Sequence, residues 1–271
     1  MTSIQGRRVT PWRARAARLC AACLVFTSAN PTVSHAVPLP ASDWHDERKP
    51  RAERLSGFVY RLGAGATVLY RFEMDRDDAR GRWRSRYFDR VGRLATEDEV
   101  LFRDGALMRY GYVRRTIGEV SSVERRGKQL VYTRVLDGRR DESEEDDRDD
   151  FTVGPTVALY VQRHWTALVA GQRLGTRYGV LDRLRSYGFE LERDDRHPRA
   201  ARDAVVVRMR PSSAFLRLFV SPVHLVFSRD GSVLREIIGR MLPVERRDGR
   251  LHAVDGDLVM TAIDAKEAEG P

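Results

Sequence analysis

The chain has almost no cysteine. Of its 271 residues only Cys20 and Cys23 are cysteine, and both fall in a stretch that reads as a removable leader. A disulfide framework is therefore excluded for the rest, and the CxxC spacing assigns no redox or metal chemistry there. Lysine is nearly missing too. Lys49, Lys128 and Lys266 stand against 45 arginines, a bias that fits a GC-rich coding sequence better than a nucleic-acid site. The longest apolar run, 19–29, falls well short of the roughly 20 residues of a membrane-spanning helix, so no transmembrane anchor is expected. No GxSxG elbow is present, and His164, His197, His224 and His252 show neither HExxH nor HxH spacing. No catalytic residue, metal ligand or cofactor is assigned. The acidic run at 141–150 lacks the glycine of a calcium loop and reads as a solvated loop that also places negative charge before a helix. No repeat of fixed period is evident, which argues against a propeller or solenoid.

What is present begins with export. Arg7, Arg8, Arg13, Arg15 and Arg18, with no acid among them, precede LCAACLVFTSA and then Ser34-His35-Ala36, the pattern of a cleaved signal peptide over residues 1–36. The destination is periplasmic. Lipoprotein anchoring at Cys23 is the minority reading, because Cys20 occupies a place where leucine is usual. The Arg7-Arg8 pair raises twin-arginine export, but Val9-Thr10-Pro11-Trp12 do not continue that motif. Losing the leader removes five arginines and no acids, so the net charge falls from +9 to +4 over 235 residues. No nucleic-acid partner is expected. A flexible lead-in at 37–55, a single β-rich domain at 56–264 and a flexible tail at 265–271 complete the division.

Within the domain most runs alternate apolar and polar residues. Val68, Tyr70, Phe72 and Met74 alternate with Leu69, Arg71 and Glu73, and Trp83, Ser85 and Tyr87 alternate with Arg82, Arg84 and Arg86. Asp-Gly pairs at 104–105, 137–138, 230–231, 248–249 and 255–256, with Arg126-Gly127, supply hairpin turns between such runs. One segment differs. Over 151–171, Val157, Tyr160, Val161, His164, Trp165 and Leu168 recur at helical spacing, with Gly154-Pro155 to start the helix and Gly171 to stop it. The predicted fold is mainly β (α+β): a single curved antiparallel sheet or open barrel of about 10–14 strands wrapped around one amphipathic helix at 154–170. A short apolar helix or lid is expected at 211–222.

Such a cup leaves an apolar space between sheet and helix unless side chains fill it. Trp83, Tyr160, His164, Trp165, Phe215 and Phe219 are the candidate ligand-binding residues, with Phe72 and Tyr87 nearby in the pattern; the alternative is that they form the core. The leading function is non-enzymatic binding of a lipid or acyl chain, including a lipoprotein acyl chain, by an exported protein. A hydrolase using His164 as general base and an envelope interaction protein with a filled core are the competitors.

Three segments carry a resemblance. YVQRHWTALVAGQ (160–172), LRSYGFEL (184–191) and VVRMRPSSAFLRLFVSPVHLVFSRDG (206–231), with Gly239 closing the pattern, resemble a group of uncharacterised exported proteobacterial proteins. More distantly, the expected architecture is similar to the Lol-type periplasmic lipoprotein carriers. That likeness implies an apolar cargo but maps no receptor motif or catalytic residue onto this chain.

Overall fold

The computed structural model describes residues 52–63, 67–201 and 203–263, all of which fall in one compact unit. The signal segment, nearly all of the lead-in and the tail lie outside the described residues. Fifteen strands form one sheet: β1 (Ala52–Arg61), β2 (Val68–Asp77), β3 (Arg82–Phe88), β4 (Leu94–Arg103), β5 (Ala106–Arg114), β6 (Glu119–Arg126), β7 (Gln129–Leu136) and β8 (Arg139–Asp146), then β9 (Phe151–Thr152), β10 (Leu174–Val180), β11 (Arg185–Arg193), β12 (Ala204–Pro211), β13 (Val223–Ser228), β14 (Leu234–Arg247) and β15 (Arg250–Ile263). The order across the sheet is β8-β7-β6-β5-β4-β3-β2-β1-β15-β14-β13-β12-β11-β10-β9. Neighbours in the sheet are thus consecutive in sequence everywhere except at the pair β1–β15, where Arg54 lies opposite Ile263, and β8 and β9 alone follow one another without pairing. β1 begins at Ala52, inside the stretch read as lead-in.

The hairpins form where the turn chemistry allows positive φ. Asp104-Gly105, Asp137-Gly138 and Asp248-Gly249 all adopt it over both residues. Asp255-Gly256 does not turn. It lies inside β15, where Gly256 admits the close approach of Val59; a Cβ there would stand 2.6 Å from that side chain.

The acidic run corrects a second expectation. Residues 139–146 are not a loop but β8, hairpin-paired with β7 from Leu136↔Arg139 to Gln129↔Asp146. An edge strand needs no apolar face, and charge there blocks further pairing, so its alternation was of charge against charge. Arg139 pairs with Asp141 and Arg140 with Glu142. The acids near residue 150 also lie outside the first turn of the helix, which contains none.

β8 and β9 occupy opposite edges of the sheet, yet residues 147–150 alone connect them, so the sheet curls until its edges meet. The backbone ladder does not close. Side chains bridge the seam instead: the Ser186 N–H donates to the Glu145 carboxylate at 3.0 Å, Arg134 donates to the Asp182 carbonyl at 3.3 Å, and Ser143 contacts the Leu184 carbonyl. β9 pairs in parallel with β10.

The helix arrives as expected but in two pieces, α1 (Thr156–Arg163) and α2 (Trp165–Val169), broken at His164. Gly154 precedes α1 at φ +47° against the Tyr110 ring, 2.7 Å from where a Cβ would be. Gly171 ends α2 at φ +86°. Val157, Val161 and Leu168 are buried beneath the helix with Leu174, Leu191, Val207, Leu225 and Phe227 from β10–β13. The helix therefore fills mainly this part of the curve, and only Leu159 of α1 reaches the rest. A second cluster, built from β1–β7 with Phe151, Val153, Leu181 and parts of β14 and β15, fills the rest with Tyr70, Phe72, Trp83, Tyr87, Tyr110, Tyr112 and Tyr132.

Candidate functional site

The six candidate residues do not form one site. Trp83 is buried in the tyrosine-rich cluster, its indole N–H donating to Asp78 at 2.9 Å and its ring edge-on to Phe102. Phe72 and Tyr87 pack there too, with ring centroids 5.1 Å apart. Tyr160, His164 and Trp165 are half-buried on the helix. Tyr160 and His164 rings lie 4.6 Å apart, while Trp165 turns to Phe227 at 5.5 Å and covers Gly231, where a Cβ would meet the indole at 2.3 Å. Phe215 and Phe219 are not under the helix. They stand 68% and 70% exposed on the β12–β13 connection, packed chiefly on each other. The expectation that they help fill the sheet is thereby corrected: the short 3-10 turn Leu216–Leu218 that carries them contributes no buried residue.

His164 has a neighbour but no relay. Burial first and Arg163 second hold its imidazole below the ordinary histidine value. The adjacent Tyr160 hydroxyl is committed to the Gly175 carbonyl at 2.6 Å, and burial pushes its pKa up to about 12. Among the described residues no side chain hydrogen-bonds to His164. General-base catalysis needs a partner within about 3 Å to orient the ring, and the geometry supplies none.

The more strongly perturbed groups lie elsewhere, on inward positions of the tyrosine-rich half. Asp98 accepts the Ser85 N–H and the Tyr110 hydroxyl, both at 3.2 Å, and burial lifts its carboxyl to about 6 against those bonds. Glu119 is fully buried. Burial pushes its carboxyl up, but Arg114 at 3.0 Å and Arg134 at 2.7 Å outweigh that and hold it below the usual range. Tyr112 and Ser121 complete its hydrogen bonds. This is a satisfied ionic network inside a packed core. Its inward phase is readable, since Glu119 alternates with Ser121 and Val123.

On the outer face the arginines are already paired. Arg86 meets Glu73 and Asp75, and Arg82 and Arg84 meet Glu99. A second missed pairing lies on the far side of the sheet from the helix, where the rings of His197 and His224 stack at 4.4 Å. Two surface clefts meet around Arg229, and none of the six candidates lines either.

The chain is similar to the crystal structure of a β-barrel-like protein of the domain of unknown function DUF1849 from Brucella abortus, with a TM-score of 0.43 and 9% identity, covering 80% of this chain and 98% of that one. No family model matches the chain, and no curated protein matches its sequence.

Proposed function

We propose that this is an exported, non-enzymatic protein that binds an apolar or amphipathic molecule, a lipid or acyl chain, and that it does so at the 215–220 loop rather than in a space between sheet and helix. The exposure of that loop carries the reading: Phe215, Leu218, Phe219 and Val220 are 68%, 77%, 70% and 41% exposed within six consecutive residues. Exposed apolar side chains are ordinary when scattered, but a contiguous cluster marks an interaction surface. Arg217 holds the loop's base through the Pro211 carbonyl at 2.6 Å and Glu190 at 2.9 Å, so the apolar tip is presented on a fixed stem. The proposal of export rests on the arginine-rich leader, its apolar run and Ser34-His35-Ala36. Among the described residues no helix is long and apolar enough to cross a membrane. Lol-type lipoprotein transfer would be one use of such a tip.

The test is lipid mass spectrometry of the protein taken from its host, combined with titration of an apolar fluorescent probe and of phospholipid vesicles. Binding should fall at least about tenfold in Phe215→Ser/Phe219→Ser. Binding that survives this variant but is lost in Trp165→Ala would return the site to the helix. No bound lipid and no probe binding would leave an envelope protein recognised by other proteins.

A further inference from the structure

The connection between β11 and β12 does not stand off into solvent. Residues 194–201 lie back across the outer face of β12–β15, the face opposite the helix, and are held at two points. Arg199 reaches Glu236 on β14 at 3.1 Å and Asp257 on β15 at 2.9 Å. His197 stacks on His224 of β13. Between those points the segment is knit by its own turn: the Arg199 N–H donates to His197 Nδ1 at 3.2 Å and the Ala200 N–H to the His197 carbonyl at 2.8 Å. On this outer face Val206 and Val226, paired across β12 and β13, are 1% and 3% exposed, which an uncovered face would not allow.

We propose that residues 194–201 form an acid-released strap, closed while His197 and His224 are neutral and lifted when they take up protons, uncovering the valine stripe beneath. Two features of the geometry give this direction. A second proton on His197 must sit on Nδ1, the atom that accepts the Arg199 N–H, so protonation sets donor against donor and opens the turn. Two imidazolium rings at 4.4 Å also repel each other across the clamp.

The surrounding charges are largely committed. From β11, Glu192 is engaged by Arg173, Arg208 and Arg210. Asp194 faces His224 Nε2 at 3.7 Å and Arg208 at 3.8 Å. Arg199 already occupies Glu236 and Asp257. At the end of β11, Arg193 takes Asp195 of the strap. Burial first, then the neighbouring His197, holds the His224 imidazole below the ordinary value. Its folded-state pKa being depressed, this histidine favours the closed form above the ordinary histidine range and loses that contribution as pH falls through it. Burial also raises the Glu236 carboxyl, so one of the acids holding Arg199 is weakened in the same direction.

Hydrogen exchange read by mass spectrometry, corrected for intrinsic rates, tests the strap in the purified protein at about pH 7.5 and about pH 5.5. Protection of the Arg199 and Ala200 amides should drop roughly tenfold or more at the lower pH while β4 and β5 keep theirs. His197→Gln or His224→Gln should remove the step, since glutamine can accept the Arg199 N–H but takes no proton, and His252→Gln should keep it. A wild-type chain without the step, a step that survives in both His197→Gln and His224→Gln, or its loss in His252→Gln overturns the proposal.

Discussion

The two halves of the sheet solve the same problem with different materials. Where α1 and α2 lie in the curve, the interior is aliphatic: Val157, Val161, Leu168, Leu191, Val207, Leu225 and one buried phenylalanine, Phe227. Where the helix reaches in only through Leu159, the strands fill most of the curve themselves, and they do it with long rings: Tyr70, Tyr87, Tyr110, Tyr112 and Tyr132 beside Phe72 and Trp83. A tyrosine spans more space than a leucine but brings a hydroxyl that must be satisfied when buried. That requirement accounts for the acids. Asp98 accepts Tyr110, Glu119 accepts Tyr112, and Glu145 contacts Tyr132 at the seam. Filling a wide interior chiefly from strands thus draws charge inside, and the charge draws Arg114 and Arg134 after it.

The largest effect should come from breaking that ionic group. Glu119→Ala leaves two guanidiniums without their shared carboxylate and should cost about 3–5 kcal/mol in urea unfolding; a loss under about 1 kcal/mol would show that the tyrosine-rich half is not held by its network. On the other side, Phe227→Ala removes a fully buried ring and should cost about 3–4 kcal/mol. If calorimetry instead shows two separate transitions for this variant, the halves melt independently and the contrast deepens.

Asp98 gives a smaller effect with a definite sign. Its folded pKa of about 6 lies above the ordinary aspartate value of 3.8, so the folded state binds more protons between those pH values. Stability from this group is full at low pH and is lost as pH rises through about 4 to 6. Asp98→Asn should therefore be more stable than the parent near pH 7 by about 1–3 kcal/mol and lose the corresponding pH slope. Thermal melts at pH 5 and 7 read both. Least of all in stability, Phe219→Ser should move the melting free energy by under about 0.5 kcal/mol, because an exposed ring contributes little burial, while weakening apolar-probe binding.

Much of this architecture was readable in the chain. Alternation in β2 and β3 placed Phe72, Met74, Trp83 and Tyr87 inside, and the Asp-Gly turns placed most of the hairpins, because both signals are local. β8 escaped because it has no apolar phase to detect. The helix face was legible, but its extent of filling was not: whether Phe215 and Phe219 join it depends on which end of the β12–β13 hairpin they cap. His197 and His224 could not be paired from sequence, since only the fold-back of 194–201 brings a loop histidine onto a strand.

The pairing of β1 with β15 has a consequence for how the molecule is made. Every other strand meets a near neighbour in sequence, but this contact waits for the last strand to leave the ribosome. Until then a nascent chain can build only two open wings, each with its own filling, and the seam from β8 to β9 serves as their hinge. Contacts between distant segments are slow to form, so joining the wings is where folding should lag. A circular permutant cut at 147–150, with the β15 end tied to the β1 start, would turn that late contact into one more hairpin and should fold faster into the same sheet.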